Sequence, residues 1–321
     1  MRIILPNHRI WPIIAPTAMD SLDAPPLMNA PSRKPSSILF PLCLLLIAMA
    51  SIQTGASLAK GLFPAVGAQG TTTLRLVFAS LIMLVILRPW RARLTPRSLR
   101  TVIIYGIALG GMNFLFYMSL RTVPLGIAVA LEFTGPLAVA LLGSRKAIDF
   151  LWVILAAIGL LLLIPVGASS AHLDLAGAGY ALGAGVCWAA YILFGQKAGG
   201  DNGVQTAALG VMIAAIVIAP IGIVHAGAAL FDPMLIPVAL AVAVLSTALP
   251  YSLEMIALTR MPARTFGTLA SLEPVFAAVS GLIFLQEMLT LVQWLAIGAI
   301  IVASIGATLS SPASAQVMPA D

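Results

Sequence analysis

Charge is scarce in this chain. Of its 321 residues only 9% are Asp, Glu, Lys or Arg, against about 25% in an ordinary soluble domain. Two water-exposed domains of this combined length could not be coated with so few charges, which argues against a soluble enzyme. Cysteine is nearly missing as well. Cys43 and Cys187 stand apart in apolar runs, which excludes a disulfide scaffold and offers no zinc-ligand spacing. His8, His172 and His225 have no partner at catalytic or metal-binding spacing. HExxH, GxSxG and the P-loop lysine motif do not occur, and Gly177-Ala178-Gly179 is neither preceded by a strand pattern nor completed to GxGxxG. No enzyme constellation, metal site or cofactor site is expected.

What the chain does have is apolar length. It is 60% hydrophobic, with a mean hydropathy of +1.06. A helix that crosses a membrane needs roughly 20 predominantly apolar residues. That template predicts ten spans, at about 38–60, 66–88, 101–120, 124–143, 150–167, 175–197, 204–225, 235–258, 264–286 and 290–309. The separators are short and polar, such as Arg88-Pro89-Trp90-Arg91 and Gly199-Gly200-Asp201-Asn202-Gly203. The expected fold is an all-α polytopic membrane protein. Residues 1–37 carry seven prolines and no uninterrupted apolar core of signal-peptide length. They are expected to be a disordered cytosolic tail, with Met28 as an alternative start, and residues 310–321 a second tail.

The basic residues sort by loop. If ten spans put both ends on one side, fourteen lie there, among them Arg88, Arg91, Arg93, Arg97, Arg100, Arg145, Lys146, Lys197, Arg260 and Arg264. The other side has Lys60 and Arg121, and Arg75 falls inside a span. This asymmetry predicts cytosolic termini. The net charge of +6 therefore reads as topology and contact with anionic headgroups. Basic clusters interleaved with aromatics on a soluble face are lacking, so nucleic acid is not an expected partner.

Two segments share a frame. Pro124, Leu131, Pro136, Ala140 and Gly143 recur at a constant offset as Pro262, Leu269, Pro274, Ala278 and Gly281. Proline inside a helix is costly and position-specific, so the Pro-x11-Pro-x6-Gly frame carries more weight than the apolar identities. The repeat unit holds five helices, and an odd number of crossings forces the second unit to enter from the opposite face. Two inverted five-helix repeats, 38–167 and 175–309, are expected, with a site between them near the midplane.

Ionisable groups at membrane depth are expensive and mark function by default. Glu132 and Glu273 lie eight and nine residues into the fourth and ninth predicted spans, near the midplane from opposite faces. Either could exchange protons, because burial favours the neutral form of a carboxyl group; either could equally serve a structural Arg–Glu pair. Arg75 could grip a carboxylate with two parallel bonds or neutralise Glu132. Asn113, Tyr117 and Tyr251 are polar groups that could bind substrate or tie helices together, as are Gln53 and Gln196. Trp188 is the better pocket aromatic, whereas Trp152 and Trp294 sit near span ends as anchors. Glu254, near Arg260 and Arg264, reads as an interfacial salt bridge. Gly106-x3-Gly110 and Gly179-x3-Gly183 read as helix-packing frames.

Several long runs look familiar. Gly110 to Asn113, Thr122 to Pro136, Leu245 to Arg260, Ala48 to Gln53, Gly55 to Lys60 and Arg264 to Leu269 resemble the threonine/homoserine exporters of bacterial inner membranes. These belong to the EamA-type branch of the drug/metabolite transporter superfamily. The resemblance covers about 38–310, and the proline-rich N-terminus departs from it. It implies efflux of threonine and homoserine driven by proton entry, through ten helices with both termini inside. The same scaffold could export other amino acids, metabolites or drugs. A membrane-embedded enzyme or sensor is the reading from another class, and the missing catalytic and signalling features weigh against it. Oligomeric state is not legible in the sequence.

Overall fold

The computed structural model describes residues 39–92, 94–142, 148–163, 174–202, 204–260 and 269–310. The expected tails at 1–37 and 310–321, apart from Ser310, lie outside the described residues, as do Met28, Arg93, Arg145, Lys146 and Arg264. Every described residue belongs to one compact unit, and among them there are helices and no strands.

The helices are α1 (Leu39–Lys60), α2 (Phe63–Leu87), α3 (Pro96–Ser119), α4 (Leu125–Glu132), α5 (Thr134–Leu142), α6 (Ile148–Leu163), α7 (Leu175–Asn202), α8 (Val204–Ala226), α9 (Ile236–Ala243), α10 (Leu249–Arg260), α11 (Glu273–Leu285) and α12 (Leu291–Ser310). Six apolar helical stretches are long enough to cross a membrane, and shorter ones cover Leu125–Val139, Phe150–Gly159, Glu273–Leu285 and Leu291–Gly306. Chain chemistry sets their ends. Thr95 caps α3 by accepting from the Ser98 N–H while Ser98 accepts from the Thr95 N–H, with Pro96 in the first turn. Gly67 interrupts α2 at φ 69°, a conformation that costs an L side chain energy and glycine little.

The distribution of polarity is inside out. Val224, Val186, Val85, Ile283 and Leu295 are exposed along the helices, whereas Thr71, Thr72, Ser246, Thr247 and Arg75 are buried. An exposed apolar surface of this extent faces lipid, and the polar groups inside must bond each other. Thr71 and Thr72 donate to the carbonyls of Gly67 and Ala68. Inside the bundle, α3 lies along α7 and α8, α2 along α8, α1 along α10, α4 along α11, and α6 along α12. Gly106 and Gly110 face Ile213 and Ala214 of α8, as a packing frame should, while Gly183 meets Leu115 and Gly179 meets open space.

The fourth and ninth predicted spans fare differently. α12 is continuous, but the fourth span breaks at Phe133 between α4 and α5, and the predicted 264–286 span turns at Ser271–Leu272 before α11. Proline explains both interruptions. Pro136 cannot bond the carbonyl of Glu132, nor Pro274 that of Ala270. The eighth span is modified rather than broken: between α9 and α10, Val244–Ala248 forms a π-helical turn.

At one end of the bundle the links meet. Lys60 Nζ donates to Glu287 Oε1 at 2.6 Å, and the Leu125 N–H donates to Glu287 Oε2 at 2.6 Å. Nearby in the chain, Thr122 donates to Asp174 Oδ2 at 2.9 Å. The links after α1, before α4, before α7 and after α11 are thus joined in pairs.

Candidate functional site

The π-helical turn builds the centre of the site. Widening a helix by one residue per turn leaves backbone carbonyls without their usual partners, and Pro250 withholds the N–H that would reach Ser246. Side chains from two neighbouring helices take up the freed groups. Ser51 of α1 donates to the Leu245 carbonyl at 2.6 Å. Arg75 of α2 donates from Nη2 to the Ser246 carbonyl at 2.7 Å and from Nε to Thr247 Oγ1 at 2.6 Å. Glycine lets α1 come this close, since a Cβ on Gly55 would fall 2.7 Å from the Ser246 Cβ.

Arg75 is therefore held rigidly without a carboxylate. Its guanidinium also stacks over the ring of Tyr117, 5.0 Å from the centroid, and Tyr117 rests on Phe63 and Phe116. The Arg75–Glu132 ion pair that the sequence allowed does not form; among the described residues the ion pair is Lys60–Glu287. A buried guanidinium satisfied by a carbonyl, a hydroxyl and a ring face keeps its charge for something else. Nη1 makes no hydrogen bond among the described residues.

Beside Arg75 lies a cleft. Gln53 of α1, Arg75 of α2, Asn113 of α3, Glu132 of α4, Trp188 of α7 and Glu273 of α11 form part of its wall. Tyr251 and Glu254 complete it from α10, and Ile52, Met112, Phe116 and Val129 supply apolar surface. Asn113 Nδ2 donates to the Leu109 carbonyl at 2.8 Å and to the Tyr251 hydroxyl at 3.4 Å. Gln53 Nε2 donates to Glu273 Oε1 at 3.3 Å. Trp188 is fixed edge-on to Phe133, the residue at the break after α4, with centroids 5.5 Å apart. That break is pressed against α7, where a Cβ on Gly135 would overlap the Gly185 carbonyl.

The cleft brings together Arg75, Asn113, Glu132, Trp188, Tyr251 and Glu273 from the sequence reading. Tyr117 does not line it; this residue is fully buried behind Arg75. Glu254 is placed on the cleft wall rather than at an interface, and its expected partner Arg264 lies outside the described residues. Gln53, weighed in the sequence only as one of several polar residues, is buried and stands on the wall. The overlooked signal for the Arg75 anchorage was Pro250, whose effect on the carbonyl four residues earlier can be read directly from sequence.

Chemically, three carboxylates and one guanidinium share a small, partly apolar space. Separated charges of both signs suit a ligand that is itself a zwitterion, and no group here is arranged as a nucleophile beside a base. Among the described residues no cluster of His, Cys, Asp and Glu could hold a metal ion.

Comparison with known proteins gives a consistent picture. The model of the EamA-like transporter family matches residues 175–309. The chain is 58% identical over 290 residues to the threonine/homoserine exporter RhtA of Salmonella typhimurium (strain SL1344), covering 90% of this chain and 98% of that protein. It is 59% identical over 279 residues to the threonine/homoserine exporter RhtA of Escherichia coli (strain K12), covering 87% and 95%. One crystal structure of a protein superposes with a TM-score of 0.55 at 18% identity, over 84% of this chain and 98% of that one, a likeness of fold alone.

Proposed function

The chain belongs to the EamA-like transporter family, and from that premise we propose that it exports threonine and homoserine from the cytosol in exchange for protons. It is a multi-pass membrane transporter and not an enzyme. Its place is the bacterial inner membrane, with both termini in the cytosol.

The observation that carries the reading is the cleft with its unpaired Arg75 among Glu132, Glu254 and Glu273. An exported amino acid is a zwitterion. Arg75 takes the carboxylate, a glutamate takes the ammonium, and Asn113 or Tyr251 bonds the side-chain hydroxyl, with Tyr117 holding Arg75 in position. Trp188 closes the cavity. Glu132 and Glu273 carry the proton: once a carboxylate is protonated from the far side, its attraction for the ammonium falls and the substrate leaves there.

Ten crossings in two inverted five-helix units, 38–167 and 175–309, fit this role. The breaks at Phe133 and Ser271 are supporting observations, since they share the offset of the Pro-x11-Pro-x6-Gly frame. So is the meeting of Lys60, Thr122, Asp174 and Glu287 at one end, because alternate links of a ten-span chain share a face.

The test is uptake of labelled threonine and homoserine into vesicles reconstituted with the protein, with and without a pH gradient. Transport accelerated by the gradient is expected, and Glu132→Gln should reach the membrane yet lose the acceleration. Vesicles that move neither amino acid under either condition would overturn the proposal.

A further inference from the structure

Gln53 and Glu273 form a donor–acceptor pair that is left incomplete in one specific way. Gln53 is 3% exposed and Glu273 9% exposed, and both stand on the cleft wall. The Gln53 amide gives its N–H to Glu273 Oε1 at 3.3 Å, a long bond. Donation to a carboxylate fixes which way the amide faces, because an ionised carboxylate only accepts. Among the described residues the amide oxygen, Gln53 Oε1, is buried with no hydrogen-bond partner, and Glu273 Oε2 accepts no hydrogen bond. A buried amide oxygen without a partner costs free energy that a bound ligand can recover.

The missing partner must be a donor, and a positive one. One acceptor is uncharged and the other negative, and the further carboxylates on the cleft wall, Glu132 and Glu254, add charge of the same sign. Arg75, the cleft's guanidinium, is engaged by Ser246, Thr247 and the Tyr117 ring. Lys60 of the same helix α1 is spent on Glu287. A carboxylate would be repelled here and an apolar group would leave Gln53 Oε1 orphaned. A primary ammonium, with three N–H donors and one positive charge, satisfies both acceptors at once.

We propose that Gln53 and Glu273 together form the subsite for the ammonium group of the transported amino acid. The proposal rests on the exporter reading and sharpens it, by assigning one end of the substrate to the α1–α11 side of the cleft. Gln53 is then a specificity-determining residue: it separates an amino acid from the hydroxy acid of the same skeleton, which offers one donor and no charge.

The test uses purified full-length protein and two ligands, homoserine and 2,4-dihydroxybutyrate, in which a hydroxyl replaces the ammonium. Apparent dissociation constants come from ligand-dependent thermal shifts. The wild type is expected to prefer homoserine by about 10- to 100-fold, the range of a hydrogen bond to a charged group. In Gln53→Leu and in Glu273→Gln the preference should fall to within roughly threefold. If Gln53→Leu is too poorly folded to measure, the isosteric Glu273→Gln carries the comparison. Both constants rising together with their ratio intact would overturn the subsite and leave Gln53 as a tie between α1 and α11. A wild type that binds neither ligand would instead defeat the exporter reading itself.

Discussion

Asn113 Nδ2 of α3 meets the hydroxyl oxygen of Tyr251 on α10 at 3.4 Å, across 138 positions of chain. The same separation relates Pro124 to Pro262, Pro136 to Pro274, and Phe133 to Ser271. A residue and its repeat-mate touch only where an axis of two-fold symmetry runs between them. The contact therefore supports the proposed inverted-unit arrangement, in which such an axis would run at the cleft and alternation between two access states would pivot there.

That contact should be energetically lopsided. Asn113 also donates to the Leu109 carbonyl at 2.8 Å, so Tyr251→Phe leaves one of its two N–H groups bonded and gives up only the long 3.4 Å bond, at a cost below about 1 kcal/mol. Asn113→Leu leaves a buried hydroxyl with no partner and costs about 1–3 kcal/mol. Apparent unfolding midpoints in detergent should rank the two variants in that order. The reverse order would mean that Tyr251 finds another partner.

Arg75 depends on Pro250. Lysine has one ammonium and no planar fork, and cannot serve Thr247 Oγ1, the Ser246 carbonyl and the Tyr117 ring together. Arg75→Lys is expected to lower threonine transport at least about 10-fold at unchanged membrane levels. Pro250→Ala returns a backbone N–H that competes for the Ser246 carbonyl, and a smaller loss of the same kind is expected. Wild-type transport by Arg75→Lys would show that the fork geometry is not used.

The legible part of this protein was the part that scarcity makes conspicuous. Arg75, Glu132 and Glu273 stood out because charge at membrane depth is rare, and the cleft contains all three. Glu254 was misplaced because proximity to Arg260 in sequence resembles an interfacial pair, while the observed turn of α10 carries it to the cleft. The π-helical turn at Val244–Ala248 leaves no mark in composition or periodicity, since it adds a single residue to an apolar run. Gly135 against Gly185 was equally hidden. Such a contact joins two glycines on different helices, and nothing local to either signals the other.

Asp174 offers a pH test outside the spans. The Thr122 hydroxyl, the N–H groups of Ala176 and Gly177, and Arg121 hold its carboxyl below the usual carboxylate range. A depressed folded-state value means that the stabilisation is present above the unfolded carboxylate value, near pH 4. It is lost as pH falls through the lower folded value. Asp174→Asn keeps an oxygen to cap α7 but does not titrate, so its apparent midpoint should decline less than the wild type's below about pH 4. Parallel acid limbs would show that the Thr122–Asp174 contact does not persist in solution.

Glu287 ties three elements together, taking the Lys60 ammonium on one oxygen and the Leu125 N–H on the other, each at 2.6 Å. The Leu125 N–H is among the first of α4 and has no partner within its own helix. Glu287→Ala removes both bonds, and because Lys60 and Glu287 are 23% and 16% exposed, water recovers part of the loss. A cost of about 1–2 kcal/mol is expected. Glu287→Gln keeps an acceptor for Leu125 and gives up only the charge, at about 0.5–1 kcal/mol, the range of a partly solvated ion pair. Lys60→Met should cost about as much as Glu287→Gln, and the coupling between them in a double-mutant cycle should shrink as salt rises from 0.05 to about 0.5 M. Coupling that ignores salt would mean that Glu287 acts through the Leu125 N–H alone, with Lys60 contributing packing and no charge.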